Sequence, residues 1–143
     1  MYDLISNIVQ EYKRNIKFIY KDLVVNYKSS SKTIFVTVDR LRLNQVLLNL
    51  LDNAGKFTKK GSITVTTAIM SSKVQVTVKD TVVGIHPEIF PKLFSKFVTR
   101  SDRGTGLGLF ISKSIIEEHA EKYGRKIVLS KKELPYLYIT AFR

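Results

Sequence analysis

Residues 43–57 form the segment that most constrains the fold, because their apolar and polar side chains separate onto two sides of a single helix. At about 100° per residue, one side carries an apolar arc of about 140°. The apolar arc comprises Leu43, Val46, Leu47, Leu50, Leu51, Ala54 and Phe57. The opposite side carries Gln45, Asn49, Asp52, Asn53 and Lys56. This separation predicts a helix that buries one side against a second layer of structure.

The polar side of this helix is unusual because it carries two asparagines one turn apart, Asn49 and Asn53. Asparagine is a poor helix former, and a solvated helix face favours Glu, Lys and Arg instead. Amide oxygens suit Mg²⁺ as hard ligands, and Lys56 on the same face is a partner for phosphate. The helix alone leaves two interpretations open: a site for a hydrated cation and a phosphate chain, or ordinary surface residues.

The remaining segments predict an α+β fold, an α/β sandwich. Hydrophobic spacing predicts helices over residues 3–17 and 106–123, a helix over 40–57 capped by Asp39, and a short helical piece over 87–97. Runs of β-branched and aromatic residues predict strands over 18–27, 34–38, 63–69, 74–78, 126–130 and 136–142. Residues 29–32 predict a hairpin turn. This order favours a mixed, mostly antiparallel sheet with helices packed on one face.

Composition limits the class of protein. A chain of 143 residues is the size of one domain, so we expect a single domain over 1–143. The absence of cysteine excludes a disulfide framework, a thiolate metal site and a catalytic thiol. No apolar run reaches a membrane span and the start does not resemble a signal peptide, which favours a soluble, cytoplasmic domain. Whether a parent protein is anchored in a membrane stays open.

The charge of the chain bears on its partners. There are 24 Lys and Arg against 12 Asp and Glu, giving a net charge of +12. These basic residues are dispersed, and the aromatic residues follow patterns typical of burial. A nucleic-acid groove usually interleaves exposed aromatics with basic residues. A lysine-rich solvated surface is therefore favoured, and nucleic acid is an unlikely partner.

Two further features have the chemistry of a nucleotide site. Gly104, Gly106 and Gly108 precede a predicted helix, where bare backbone N–H groups and the helix N-terminus favour an anion. The spacing is neither that of a P-loop nor that of a dinucleotide fingerprint. Asp80 follows a predicted strand, where its carboxylate can accept a hydrogen bond from an exocyclic amine such as that of adenine. Each feature alone has a structural explanation, as a helix entry or a turn cap.

Taken together, these motifs resemble the catalytic ATP-binding domain of sensor histidine kinases. That family belongs to the superfamily of DNA gyrase B, the Hsp90 chaperones and the MutL proteins. Residues 43–58 look like its N box, 80–85 like its G1 box, 93–97 like its F box and 104–113 like its G2 box. The four motifs occur in the family's order, cover nearly the whole chain, and imply the family's α/β sandwich.

The resemblance implies a role for each matching residue, with ATP and Mg²⁺ as cofactors. Asn53 is the implied Mg²⁺ ligand, Asn49 lies beside the phosphates or a metal-bound water, and Lys56 contacts phosphate. The implied adenine pocket comprises Phe57, Asp80, Gly84 and Ile85. The implied phosphate loop comprises Gly104, Thr105, Gly106, Leu107 and Gly108. In the segment like the ATP lid, residues 98–103, Arg100 or Arg103 reaches the γ-phosphate.

Position 49 also favours one branch of the superfamily. The branches that hydrolyse ATP directly carry glutamate there as a general base, and asparagine cannot accept a proton. The resemblance therefore implies a protein histidine kinase domain whose acceptor is a histidine on a separate dimerisation domain, with a response regulator as an indirect partner. The family's phosphoacceptor motif does not occur, and neither His86 nor His119 fits that role.

Two positions depart from the family pattern. Val82 stands where the G1 box has glycine, and a β-branched side chain there narrows the implied adenine pocket. Gly55 stands at a position that is usually bulkier, and glycine inside a helix costs about 1 kcal/mol relative to alanine. Val82 supports an alternative function: a degenerate module of the same fold that binds nucleotide weakly or not at all and acts through protein contacts.

Overall fold

The computed structural model describes residues 1–71, 73–81, 88, 90–98, 105–123, 127–130 and 136–142. The helices in chain order are α1 (Tyr2–Lys17), α2 (Arg40–Phe57) and α3 (Gly108–Tyr123). The strands are β1 (Leu23–Ser29), β2 (Gly61–Met70), β3 (Lys73–Asp80), β4 (Ile127–Ser130) and β5 (Tyr136–Phe142). No helix in the described part of the chain is long and apolar enough to cross a membrane.

The strands form one mixed sheet in the order β1-β2-β3-β5-β4. β1 pairs with β2 in parallel, with Leu23 opposite Gly61. The other neighbouring pairs are antiparallel, including the β2–β3 hairpin that places Ile63 opposite Asp80. The predicted mixed, mostly antiparallel sheet is therefore confirmed.

The core lies between the sheet and the helices. Along β2, side chains alternate between buried and half-buried, so only one face of this strand is fully covered. The fully covered face packs with the apolar sides of α1 and α2 and with part of α3. The most buried residues of the core include Ile5, Leu47, Leu51, Ile63 and Val65. The helices thus cover one face of the sheet, and the polar side of α2 is turned away from the core.

Helix α2 begins and ends where the sequence predicts. The Asp39 carboxylate accepts hydrogen bonds from the backbone N–H groups of Leu41 and Arg42 at 3.0 and 3.1 Å. These bonds satisfy donors that the first turn of a helix otherwise leaves without partners. The helix then runs for 18 residues to Phe57.

The predicted strand over residues 34–38, and with it the predicted hairpin turn over 29–32, is wrong. Burial still alternates there, with Ile34 buried and Phe35 exposed, but the segment pairs with no strand in the described part of the chain. The Ile34 carbonyl instead accepts a hydrogen bond from the N-terminal amine of Met1 at 2.8 Å. β1 meanwhile uses β2 as its parallel neighbour, so the chain returns to α2 without forming a hairpin.

The other elements lie within two residues of their predicted bounds, except the first strand and the predicted helical piece. The first strand begins at Leu23 rather than residue 18, because the N–H groups of Phe18, Ile19 and Tyr20 bond back to the last turn of α1. In the predicted helical piece over 87–97, the described helical structure is a 3₁₀ turn at Phe90–Lys92.

Candidate functional site

Helices α2 and α3 meet at a hydrogen-bonded contact between the predicted N and G2 boxes. Asn49 Nδ2, on the polar side of α2, donates to the Gly108 carbonyl and to Ser112 Oγ, both at 3.2 Å. Ser112 Oγ in turn donates to the same carbonyl at 2.9 Å. This contact fixes the first turn of α3 beside the middle of α2. It therefore brings two of the predicted site residues, Asn49 and Gly108, together.

The turn before α3 depends on glycine at one position in particular. Gly106 has a φ of +68°, and a Cβ there would lie 2.6 Å from the Phe97 carbonyl carbon and 2.7 Å from the Val98 nitrogen. Phe97 itself has a φ of +62°. The backbone at Gly106 therefore passes close to the backbone of Phe97 and Val98, and a residue with a side chain does not fit there. A left-handed residue does not continue a helix, which is why α3 begins at Gly108 instead of 106.

The last turn of α2 presents the next group of predicted residues. Lys56 is exposed, Asn53 is half-buried, and 46% of the surface of Phe57 is accessible. No hydrogen bond to the Asn53 amide occurs among the described residues. Its oxygen is thus available as a ligand, and the Phe57 ring is available to contact a planar group.

The charged side chains on the last two turns of α2 are Asp52 and Lys56. Partial removal of the Asp52 carboxyl from water raises its pKa above the usual range, and the nearby Lys56 ammonium partly offsets that shift. The described residues hold no cluster of three His, Cys, Asp or Glu side chains that would bind a metal. Amide oxygen, such as that of Asn53, is a hard ligand that suits a divalent cation.

The other predicted residues divide into two groups. Asp80 is half-buried at the end of β3, Thr105 is exposed, and Leu107 is half-buried with its carbonyl accepting the N–H of Ile111. Val82, Gly84, Ile85, Arg100, Arg103 and Gly104 lie outside the described residues, so their roles stay predictions.

Two residues that sequence reasoning did not select contribute to this region. Ser112 is fully buried and completes the contact between Asn49 and Gly108. Tyr12 of α1 donates a buried hydrogen bond to the Leu51 carbonyl of α2 at 2.8 Å. The signal for Tyr12 was the unexplained glycine at position 55, because a Cβ on Gly55 would collide with the Tyr12 hydroxyl.

His119 has a structural position. It is buried, and its Nε2 accepts a hydrogen bond from the backbone N–H of Asp39 at 3.2 Å. That bond connects α3 to the start of α2. This buried position agrees with the expectation that His119 is not the phosphoacceptor.

Comparison with known proteins places the chain in a family. The family described as histidine kinase-, DNA gyrase B-, and HSP90-like ATPase matches residues 38–133, from the approach to α2 past β4. The chain belongs to this ATPase family. The match includes the four predicted motifs, from the N box to the G2 box.

Among the relatives of this ATPase-family chain are sensor proteins. Sensor protein SrrB of Staphylococcus aureus strain MRSA252 is 37% identical over 135 residues, covering 90% of this chain and 23% of the relative. SrrB of strain NCTC 8325 is 36% identical over the same length. The chain therefore spans less than a quarter of the length of these relatives. The resemblance to sensor histidine kinase ATP-binding domains is confirmed.

Solved structures agree on the fold. Full-length ShkA in complex with AMPPNP is 26% identical with a TM-score of 0.77, covering 98% of this chain and 29% of that one. Histidine kinase ThkA in complex with the response regulator TrrA is 28% identical with a TM-score of 0.78, covering 99% of this chain and 40% of that one. The mycobacterial sensor kinase MprB, at 22% identity and a TM-score of 0.74, shares the fold.

Proposed function

We propose that this ATPase-family chain is the ATP-binding catalytic domain of a two-component sensor histidine kinase. It would transfer the γ-phosphoryl group of Mg-ATP to a histidine on a separate dimerisation domain. The hydrogen bond from Asn49 to the Gly108 carbonyl carries the proposal, because it joins the amide side of α2 to the glycine turn before α3. The sensor-protein relatives support the kinase branch of the family.

The residues at the end of α2 fit magnesium and phosphate. Asn53 offers an amide oxygen that accepts no hydrogen bond from described residues, and the Lys56 ammonium is exposed nearby. In this proposal Asn53 holds Mg²⁺, and Lys56 binds a phosphate oxygen. Bound magnesium would supply charge neutralisation to the triphosphate, which is the main requirement of phosphoryl transfer.

The start of α3 fits a phosphate chain. The N–H groups of a helix N-terminus attract anions, and the glycines leave the backbone open to close approach. We assign this contact to Gly104, Thr105, Gly106, Leu107 and Gly108. Arg103, or Arg100, is assigned to the γ-phosphate, where a guanidinium offers paired donors.

The adenine base would lie on the side of Phe57. The accessible face of this ring suits a planar base. Asp80 ends β3 and is assigned to the exocyclic amine of adenine, with Gly84 and Ile85 beside it. Cytoplasmic ATP would then be the substrate.

The phosphoryl acceptor lies outside this chain in the proposal. Asn49 cannot act as a base for water, so direct hydrolysis of ATP should be slow. His119 is committed to the backbone of Asp39 and is only 6% exposed. We assign the acceptor to a histidine on the dimerisation domain, and a response regulator is an indirect partner. The solved complex of ThkA with TrrA supports that partnership.

Thermal unfolding with Mg-ADP or AMPPNP tests the proposal, using the wild type, Val82→Gly and Asn53→Ala. At 100 times Kd a ligand adds about 2.7 kcal/mol of stability, so the wild type should shift upward. Asn53→Ala should keep the fold and lose the magnesium-dependent part of the shift. An unchanged affinity for Mg-ADP in Asn53→Ala would remove the metal assignment.

The same experiment separates the alternatives. A shift in Val82→Gly but not in the wild type would favour the degenerate module that acts through protein contacts. If nucleotide shifts the unfolding temperature of neither the wild type nor Val82→Gly, and the protein is retained on DNA in a salt-sensitive manner, a nucleic-acid-binding function replaces both hypotheses.

A further inference from the structure

Tyr12 connects the first helix to the backbone of the helix that carries the proposed ligands. Its ring is buried in α1, and its hydroxyl donates to the Leu51 carbonyl at 2.8 Å across 39 residues of chain. Leu51 lies inside α2, so its carbonyl also accepts the helical bond from residue 55. A carbonyl oxygen has two lone pairs, so both bonds are accommodated.

Gly55 is the condition for this contact. A Cβ at position 55 would collide with the Tyr12 hydroxyl, and the Ile16 side chain would lie 3.5 Å from it. Glycine lowers the helix propensity of α2, yet it lets a tyrosine hydroxyl reach the helix backbone. Tyr12 and Gly55 are therefore a matched pair, and each explains the presence of the other.

The contact lies on the same turns of α2 as the proposed ligands. Asn53 lies between Leu51 and Gly55 in the chain, and Lys56 follows directly. The bond from Asn49 to Gly108 holds the preceding turn of α2, so Tyr12 supplies the second anchor, nearer the end of the helix. A rotation of about 10° moves an asparagine oxygen by about 1 Å, and a displacement of that size costs up to about 100-fold in function.

We propose that Tyr12 is a positioning residue that sets the rotation of the last turns of α2, and thereby the places of Asn53 and Lys56. This inference rests on the proposed nucleotide-binding function. The hydroxyl, rather than the bulk of the ring, is the part of Tyr12 that does this. Gly55 contributes by leaving the hydroxyl its path to Leu51.

Four proteins test the proposal: the wild type, Tyr12→Phe, the double variant Tyr12→Phe/Gly55→Ala, and Ile5→Val. Tyr12→Phe removes the hydroxyl and keeps the ring, and the Leu51 carbonyl keeps its helical bond. The double variant fills the vacated space with a methyl group and improves helix propensity. Ile5→Val is the matched control, because Ile5 is a fully buried α1 residue outside the Tyr12 contact.

Affinity and stability are measured separately. Mg-ADP affinity is taken from calorimetry well below the unfolding midpoint, and stability is taken from thermal unfolding. We expect Tyr12→Phe and the double variant each to bind Mg-ADP about 5- to 20-fold more weakly than the wild type. The double variant should unfold at a higher temperature than Tyr12→Phe. Ile5→Val should unfold earlier than the wild type and keep its affinity.

A second readout needs no nucleotide. In ¹⁵N-labelled protein without ligand, the side-chain amide resonance of Asn53 should move in Tyr12→Phe and stay in place in Ile5→Val. Equal Mg-ADP affinity in the wild type and Tyr12→Phe would overturn the positioning role alone. Recovery of affinity in the double variant would also overturn it, since packing would then explain the effect. A wild type that binds no Mg-ADP would overturn the proposed function, and this inference with it.

Discussion

Gly108 is held to Asn49 through its carbonyl and not through its lack of a side chain. Asn49 Nδ2 donates to the Gly108 carbonyl at 3.2 Å, and a Cβ on Gly108 would lie 3.9 Å from the atoms of the Asn49 side chain. That separation is an ordinary van der Waals contact. The structural need for glycine at 108 is therefore small, which contrasts with position 106.

Gly108→Ala should leave the fold intact and raise the free energy of unfolding by about 0.5 kcal/mol, because alanine restricts the unfolded chain. Urea unfolding without nucleotide measures this. If the proposed phosphate contact is correct, the same variant should bind Mg-ADP more weakly. A clear loss of stability would contradict the packing described at this glycine.

Gly106→Ala should behave in the opposite way. Its φ of +68° and the close Phe97 backbone leave no room for a methyl group. We expect a loss of about 2 kcal/mol or more in the free energy of unfolding, from the left-handed conformation and the displaced backbone. Gly108→Ala is the control in the same urea titration. Equal stability of the two variants would show that the chain does not cross itself at this point.

Asn49 and Ser112 should be energetically coupled. Each substitution to alanine should lower the free energy of unfolding, measured by urea titration, by about 0.5–1.5 kcal/mol, the usual net value of a hydrogen bond. Because the two side chains bond to each other and to one carbonyl, a double-mutant cycle should give a coupling energy of about 0.5 kcal/mol or more.

Ser114→Ala provides the control for that cycle. Its hydroxyl also donates to the carbonyl four residues earlier, that of Phe110, at 3.1 Å, but it is exposed and does not contact Asn49. Asn49→Ala and Ser114→Ala should therefore be additive. A coupling as large as that with Ser112 would indicate a general effect on α3.

Tyr12 should make the fold sensitive to alkaline pH. Burial and the nearby Asp52 carboxylate raise the pKa of the Tyr12 hydroxyl above its ordinary value. The unfolded chain, with a tyrosine pKa of about 10, then loses its proton first. The stability that this shift contributes is fully present below about pH 10 and is lost as the pH rises further. Urea midpoints from pH 8 to 11.5 should decline more steeply in the wild type than in Tyr12→Phe. Parallel declines would contradict this.

Local interactions made parts of the fold readable from sequence. The bounds of α2 follow from the Asp39 cap and the apolar spacing, both of which act within about one turn of the chain. The β2–β3 hairpin follows from alternation on both sides of a short turn. The four motifs, in the family's order, likewise predict the family from the sequence alone.

Tertiary structure decided what depends on partners distant in sequence. Residues 34–38 have the alternation of a strand, yet they pair with no strand among the residues that the structure describes. Asn49 was readable as a polar residue on a buried helix, but not as a donor to Gly108 and Ser112. The sequence gives no reason for glycine at position 55, whereas the structure shows that the Tyr12 hydroxyl occupies the space of a side chain there. Periodicity and capping are properties of a few consecutive residues. A hydrogen bond across 39 or 59 residues exists only once two helices have packed at one particular rotation.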